Sequence, residues 1–114
     1  MSQMFRVDAT EVLRTVPFEN GFHFCTYGGL YMSVTATSLS DFVDKLMEID
    51  GESIEFHYPR GDFQYWITKV LGDEELGNRM CFVNRSYNKE QLRQELVRIV
   101  TDRISELTRS IEYR

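Results

Sequence analysis

Four residues whose side chains can do chemistry stand close together in this chain: His57, Arg60, Asp62 and Trp66. A histidine with a carboxylate beside it acts as an acid or base near neutral pH, and an arginine next to an indole face clamps an anion. Each residue also has a plainer role. Asp62 suits a helix N-cap, Trp66 a core position, Arg60 a solvated or acid-paired position, and His57 a hydrogen bond to a backbone carbonyl that fixes a turn. The plainer roles weigh more, because no Ser or Cys nucleophile in an evident motif accompanies the histidine and the catalytic set is incomplete. The four are therefore candidate binding residues, and no catalytic residue, metal ligand or cofactor is assigned.

The elements that position them are read from residues 53–80. Asp62 precedes Phe63, Trp66, Ile67, Val70 and Leu71 at helical spacing, which predicts a helix that Asp62 caps and that begins at Phe63. Gly72 suits the left-handed position after that helix, and Asp73 suits the cap of a second, short helix over 74–80. Ser53 is placed to cap a turn carrying Ile54, Phe56, His57 and Tyr58, with Pro59 ending it. The alternation of Ile54, Phe56 and Tyr58 equally fits a short strand, so residues 53–58 are open between helix and strand.

The flanking chain reads as scaffold. Residues 7–16 pattern as a short amphipathic helix capped by Asp8 or Thr10 and ended by Pro17. Over 21–36, aromatic and β-branched runs flank Gly28-Gly29, a hairpin signal, with Phe22, Phe24 and Tyr31 as the face expected to pack on helices. Residues 38–50 form a helix with the stripe Leu39, Phe42, Val43, Leu46, Met47 and Ile49, a capping-box-like Ser38/Asp41 pair, and Gly51 as its stop. Its outer face carries Asp41, Asp44, Glu48 and Asp50 against Lys45, in a spacing that lacks a calcium-loop order and reads as a solvated face. Asn88 caps a final helix over 89–112, with Leu92, Leu96, Val100, Ile104, Leu107 and Ile111 recurring every three or four residues. At about 35 Å this helix is long for so small a chain, which raises the expectation of a homodimer through it, although the stripe keeps no strict heptad.

The formal net charge of -5 disfavours nucleic-acid and anionic-membrane partners, which need a concentrated basic face. No window approaches the roughly 18 apolar residues of a membrane span, and the first ten residues lack the basic and apolar regions of a leader. Cys25 and Cys81 stand apart from each other and from any CxxC, so they read as buried free thiols of a cytoplasmic protein. The integrin-like Arg60-Gly61-Asp62 and the sequon Asn84-Arg85-Ser86 have no meaning inside a cell.

The order of these segments resembles a prokaryotic domain family of unknown function, whose members share Ser-Leu-x-x-Phe, Ser-Ile-x-x-His, Asp-Phe-x-x-Trp-Ile and Leu-Gly-Asp-x-x-Leu motifs. They match Ser38, Leu39 and Phe42; Ser53, Ile54 and His57; Asp62, Phe63, Trp66 and Ile67; and Leu71, Gly72, Asp73 and Leu76. The next family position is often Ala, and Gly77 in its place is expected to loosen the short helix. The resemblance implies architecture and no chemistry.

The expectation is one α+β domain over 1–114, predominantly helical, with a small β-hairpin packed on four to five helices and a long C-terminal helix. Its expected role is a cytoplasmic protein-interaction or regulatory module without catalysis, whose partner surface is the long helix or the segment 57–66. The alternative is an enzyme or ligand-binding domain that takes a small anionic ligand through His57 and Arg60. A third possibility is a subunit whose fold a different chain completes.

Overall fold

The computed structural model describes residues 7–112 and runs α1 (Ala9–Val12), β1 (Phe22–Thr26), β2 (Leu30–Ala36), α2 (Leu39–Glu48), α3 (Gly51–Arg60), α4 (Asp62–Tyr65), a π-helical segment (Trp66–Leu71), α5 (Glu74–Met80) and α6 (Lys89–Glu112). This is the expected α+β arrangement: a two-stranded antiparallel hairpin set on helices, the last of them long. Residues 1–6, part of the stretch read for a leader, lie outside the described residues. No helix among the described residues is long and apolar enough to cross a membrane.

The hairpin closes where the glycine pair predicts, because Gly28 and Gly29 both take positive φ (79° and 76°), which a Cβ disfavours. Phe22 and Phe24 point into the core. Tyr31 does not join them. The register steps from His23↔Thr35 to Cys25↔Tyr31, so extra residues of β2 bulge opposite Phe24 around Ser33, whose φ is 60°. Tyr31 pairs with Cys25, whose side chain points to the face opposite Phe24, and so lies on the outer face with His23, the two rings 5.8 Å apart.

The helices form as their caps dictate, with several boundaries differing from expectation. Asp8 caps α1 through the N–H groups of Thr10 and Glu11, but α1 ends at Val12, and Pro17 instead opens a 3-10 turn over Phe18–Asn20. Ser38 caps α2, while Asp41 reaches one residue further back than a capping box requires and accepts from the Thr37 N–H at 3.0 Å. Met47 is exposed, off the buried stripe of Leu39, Phe42 and Leu46. Gly51 does not stop α2. Ile49 ends that helix, Asp50 caps α3, and Gly51 begins α3, where a Cβ would stand 2.8 Å from Lys89 Cδ. Close approach of α6 to α3 is what this glycine permits.

Residues 53–58 are helix. Ser53 is not a cap, and Pro59 does not stop the segment: α3 continues through Pro59 to Gly61, whose φ of 76° turns the chain. Pro59 forgoes one helical hydrogen bond, the one an N–H at that position would give to the Glu55 carbonyl, and the helix ends one residue later. Further on, Gly72 (φ 89°) and Asp73 make the predicted corner, with Asp73 accepting from the Leu76 N–H at 3.1 Å. Gly77 does the opposite of loosening α5. It is buried, and a Cβ there would lie 2.2 Å from Thr68 Oγ1, so the glycine brings α5 against the π-helical segment.

Asn88 and Gln91 cap α6 reciprocally, each side chain accepting from the other's backbone N–H. Leu92, Leu96, Ile99, Val100 and Leu107 are buried in the protein's own core, and Ile111 is exposed. At about 36 Å, α6 lies within the molecule's 43 Å long axis. Its length, and its apolar stripe as far as Leu107, are thus accounted for within one copy. Its outward positions Arg98, Thr101, Asp102 and Ser105 are polar. Arg103 of α6 holds fully buried Asp73 with two hydrogen bonds of 2.9 and 3.0 Å, and Glu106 bridges Arg103 to Arg79 of α5.

Candidate functional site

Three of the four sequence-predicted residues meet in one hydrogen-bonded unit at the α3–α4 corner. Asp62 Oδ2 accepts from His57 Nδ1 at 2.8 Å and from Arg60 Nε at 2.9 Å. Asp62 is not the N-cap of its helix. Gly61 takes that position with no side-chain cap, and Asp62 is the first helical residue, with its carboxylate turned back to α3. Trp66 stays apart from this unit. It is buried against Phe42 and Phe22, and its Nε1 donates to the Asn20 carbonyl at 2.9 Å.

His57 is only 4% exposed, and both of its ring nitrogens are engaged. The Cys25 backbone N–H donates to Nε2 at 2.8 Å, so Nε2 carries the lone pair and Nδ1 carries the proton given to Asp62. One turn earlier on the same helix face, Ser53 Oγ donates to the Cys25 carbonyl at 2.6 Å. Ser53 and His57 together therefore clasp both backbone polar groups of one β1 residue. His57 does hold backbone, as the plainer role requires, but through an N–H rather than a carbonyl.

The electrostatics follow. Burial pushes His57 below its ordinary pKa, and the Asp62 carboxylate offsets this only in part. For Asp62, burial acts upward, but the hydrogen bonds from His57 and Arg60 outweigh it and hold the carboxyl below the usual range. The histidine is thus neutral, oriented and capped. A nucleophile would have to approach Nε2, and the Cys25 N–H occupies that position. Among the described residues no three His, Cys, Asp or Glu side chains gather as a metal-binding group.

A groove of about 510 Å³ opens between this corner and the outer side of β1, with Phe56, Tyr65, Trp66, His23 and Arg60 among its walls. The Arg60 guanidinium lies 4.6 Å from the Phe56 ring centre, a cation–π contact. Tyr65 is 66% exposed. Sequence reading missed Ser53 as a partner of His57, and it missed Phe56, Tyr65 and His23 as groove walls. Helical spacing would have paired Ser53 with His57 and Phe56 with Arg60, had residues 53–58 been assigned to a helix. The thiols differ from expectation too: both are free, but Cys25 is half-buried beside the groove and Cys81 is exposed.

The fold and the site define a small α+β domain in which one helix holds a hairpin by side chains, leaving an aromatic groove beside the joint. The model of a family of unknown function (DUF5752) matches residues 15–114, and the chain belongs to that family. No curated protein and no solved structure matches it.

Proposed function

We propose that the protein is a non-catalytic interaction module, a single domain that binds a protein partner through the groove between β1 and the α3–α4 corner. The observation that carries this reading is the commitment of His57: both ring nitrogens are spent on holding the fold, which removes the acid–base group an enzyme at this position would need. The groove, by contrast, keeps exposed aromatic surface, the kind of area that binding sites use. The solvent-facing positions of α6 are polar apart from Ile111, which makes α6 the weaker candidate surface for a partner or a second copy. Two free thiols, one of them exposed, suit a reducing compartment such as the cytoplasm.

The test is site-specific photo-crosslinking in the native host, with the photoreactive residue at Tyr65 in the groove or at Ser105 on α6. Capture of a discrete protein from position 65 and not from 105 is expected, and it should survive His57→Gln. Capture from 105 alone would move the site to α6, and a self-crosslink there would identify a homodimer. Loss of every partner with His57→Gln in a still-folded protein would favour the alternative, an anionic-ligand site through His57 and Arg60. That alternative has one observation on its side, the Arg60 terminal nitrogens, which make no hydrogen bond among the described residues.

A further inference from the structure

We infer that the groove's occupant is an extended peptide segment carrying an aromatic or large aliphatic side chain next to a carboxylate, an inference that rests on the groove reading above. Two features of the geometry point to this class. The first is the state of Arg60. Its Nε is fixed by Asp62 at 2.9 Å and its guanidinium carbon lies over Phe56, so the head is held in place while neither Nη group has a hydrogen-bond partner among the described residues. A guanidinium oriented in this way suits a carboxylate, which takes two parallel N–H donors. Asp62 does not compete strongly for an incoming cation, because it already accepts from His57 and Arg60. The apolar part of such a ligand has Phe56 and Tyr65 to lie against.

The second feature is the edge of β1. Cys25 directs its N–H and carbonyl away from β2 to His57 and Ser53. Backbone groups on a strand repeat their direction every second residue, so the His23 peptide presents the same edge. No α3 side chain among the described residues bonds to it: the His23 carbonyl receives the Cys25 thiol at 3.6 Å, and His23 lines the groove. The opposite sheet edge, along β2, carries the bulge at Ser33 that works against strand addition. An extended segment thus has one short, open edge to pair with, directly beside the aromatic walls and Arg60, which combines strand addition with side-chain reading.

The experiment is an NMR titration of the full chain with the capped tetrapeptide Val-Phe-Asp-Val, its Phe→Ala and Asp→Asn versions, and phenylacetate as the small-acid control. Saturable shifts of the Gly21, His23, Arg60 and Tyr65 amides are expected. Each altered peptide should bind about threefold to tenfold more weakly. Arg60→Gln, an exposed substitution, should weaken the parent peptide and abolish its preference over the Asn version. Equal binding of the Asp and Asn peptides to the unmodified protein, or no groove shifts up to about 5 mM peptide, would overturn the inference. Phenylacetate binding as tightly as the peptide would overturn it too, in favour of a small acid. A partner still captured at position 65 in the absence of peptide binding leaves the module reading standing while this inference falls. Failure of that capture removes the reading itself.

Discussion

Replacing His57 with Leu tests the clasp directly. The substitution keeps an apolar side chain against Phe22 and Phe63, whose rings lie 4.8 and 5.5 Å from the imidazole, but it deprives the Cys25 N–H of its acceptor. A buried donor left unsatisfied costs about 1–3 kcal/mol. The lost bond to Asp62 adds less, because Asp62 keeps Arg60 and is partly open to water, so a total of about 2–4 kcal/mol follows. With an unfolding entropy of about 2.1 cal/mol/K per residue, each kcal/mol moves the Tm of a chain this size by about 4 °C, and the expected drop is about 8–16 °C. Ser53→Ala should cost about 1–2 kcal/mol. Because both side chains hold the backbone of one residue, the double variant should cost less than the sum of the two. Thermal melts give the totals, and hydrogen exchange locates them: the Cys25 amide should lose protection in His57→Leu while the α6 amides change only with global stability. Unchanged Cys25 exchange together with a Tm within about 2 °C of the parent would refute the clasp.

Other perturbations test the same framework. Because the folded pKa of His57 lies below its unfolded value near 6.5, the unfolded chain binds the extra proton first. Stability from this group is complete above about pH 6.5 and declines as pH falls from there toward the folded value; urea melts between pH 7.5 and 5 should show this slope, and His57→Gln should flatten it. Arg103→Met, which strands the buried Asp73 carboxylate, should cost about 3–5 kcal/mol in chemical denaturation, and adding Asp73→Asn should recover part of the loss by removing the charge. Gly77→Ala alone should destabilise because Thr68 must move, whereas pairing it with Thr68→Ala should yield up to about 1 kcal/mol from the better helix former, as measured by thermal melts.

What the sequence makes legible here is local. The Gly28-Gly29 hairpin, the Gly72-Asp73 corner, the Ser38 cap and α6 each depend on residues within a few positions of one another, and all stand where expected. The candidate site was legible as a neighbourhood but not as an arrangement. Ile54, Phe56 and Tyr58 alternate like a strand, yet Ile54 is buried while Phe56 and Tyr58 are only half-buried, so the pattern reflects the flanks of a helix. The partners that decide the roles of Ser53 and His57 lie across the fold on Cys25, and the partner of Asp73 is Arg103, one of several arginines on α6 with nothing in its local spacing to single it out. Tyr31 faces outward because the turn takes three residues, Tyr27–Gly29, rather than the glycine pair alone; this pairs Tyr31 with Cys25 instead of Thr26, and a one-residue slip in register moves a side chain to the other face.

These long-range pairings also decide where function is to be sought. A buried histidine with an oriented carboxylate resembles the inner half of a catalytic set, since a carboxylate fixing Nδ1–H is how Nε2 is readied to take a proton. Here Nε2 meets a backbone N–H, far too weak an acid to give up its proton, and a neutral ring with a lowered pKa is what such a structural acceptor requires. The same hydrogen bonds that disable acid–base chemistry fix Asp62, which fixes Arg60, which lies against Phe56. The clasp therefore does more than anchor the hairpin. It sets the position of a groove cation whose terminal nitrogens face no partner among the described residues, so a change at His57 should weaken, without abolishing, the hold on a bound carboxylate through Asp62 and Arg60.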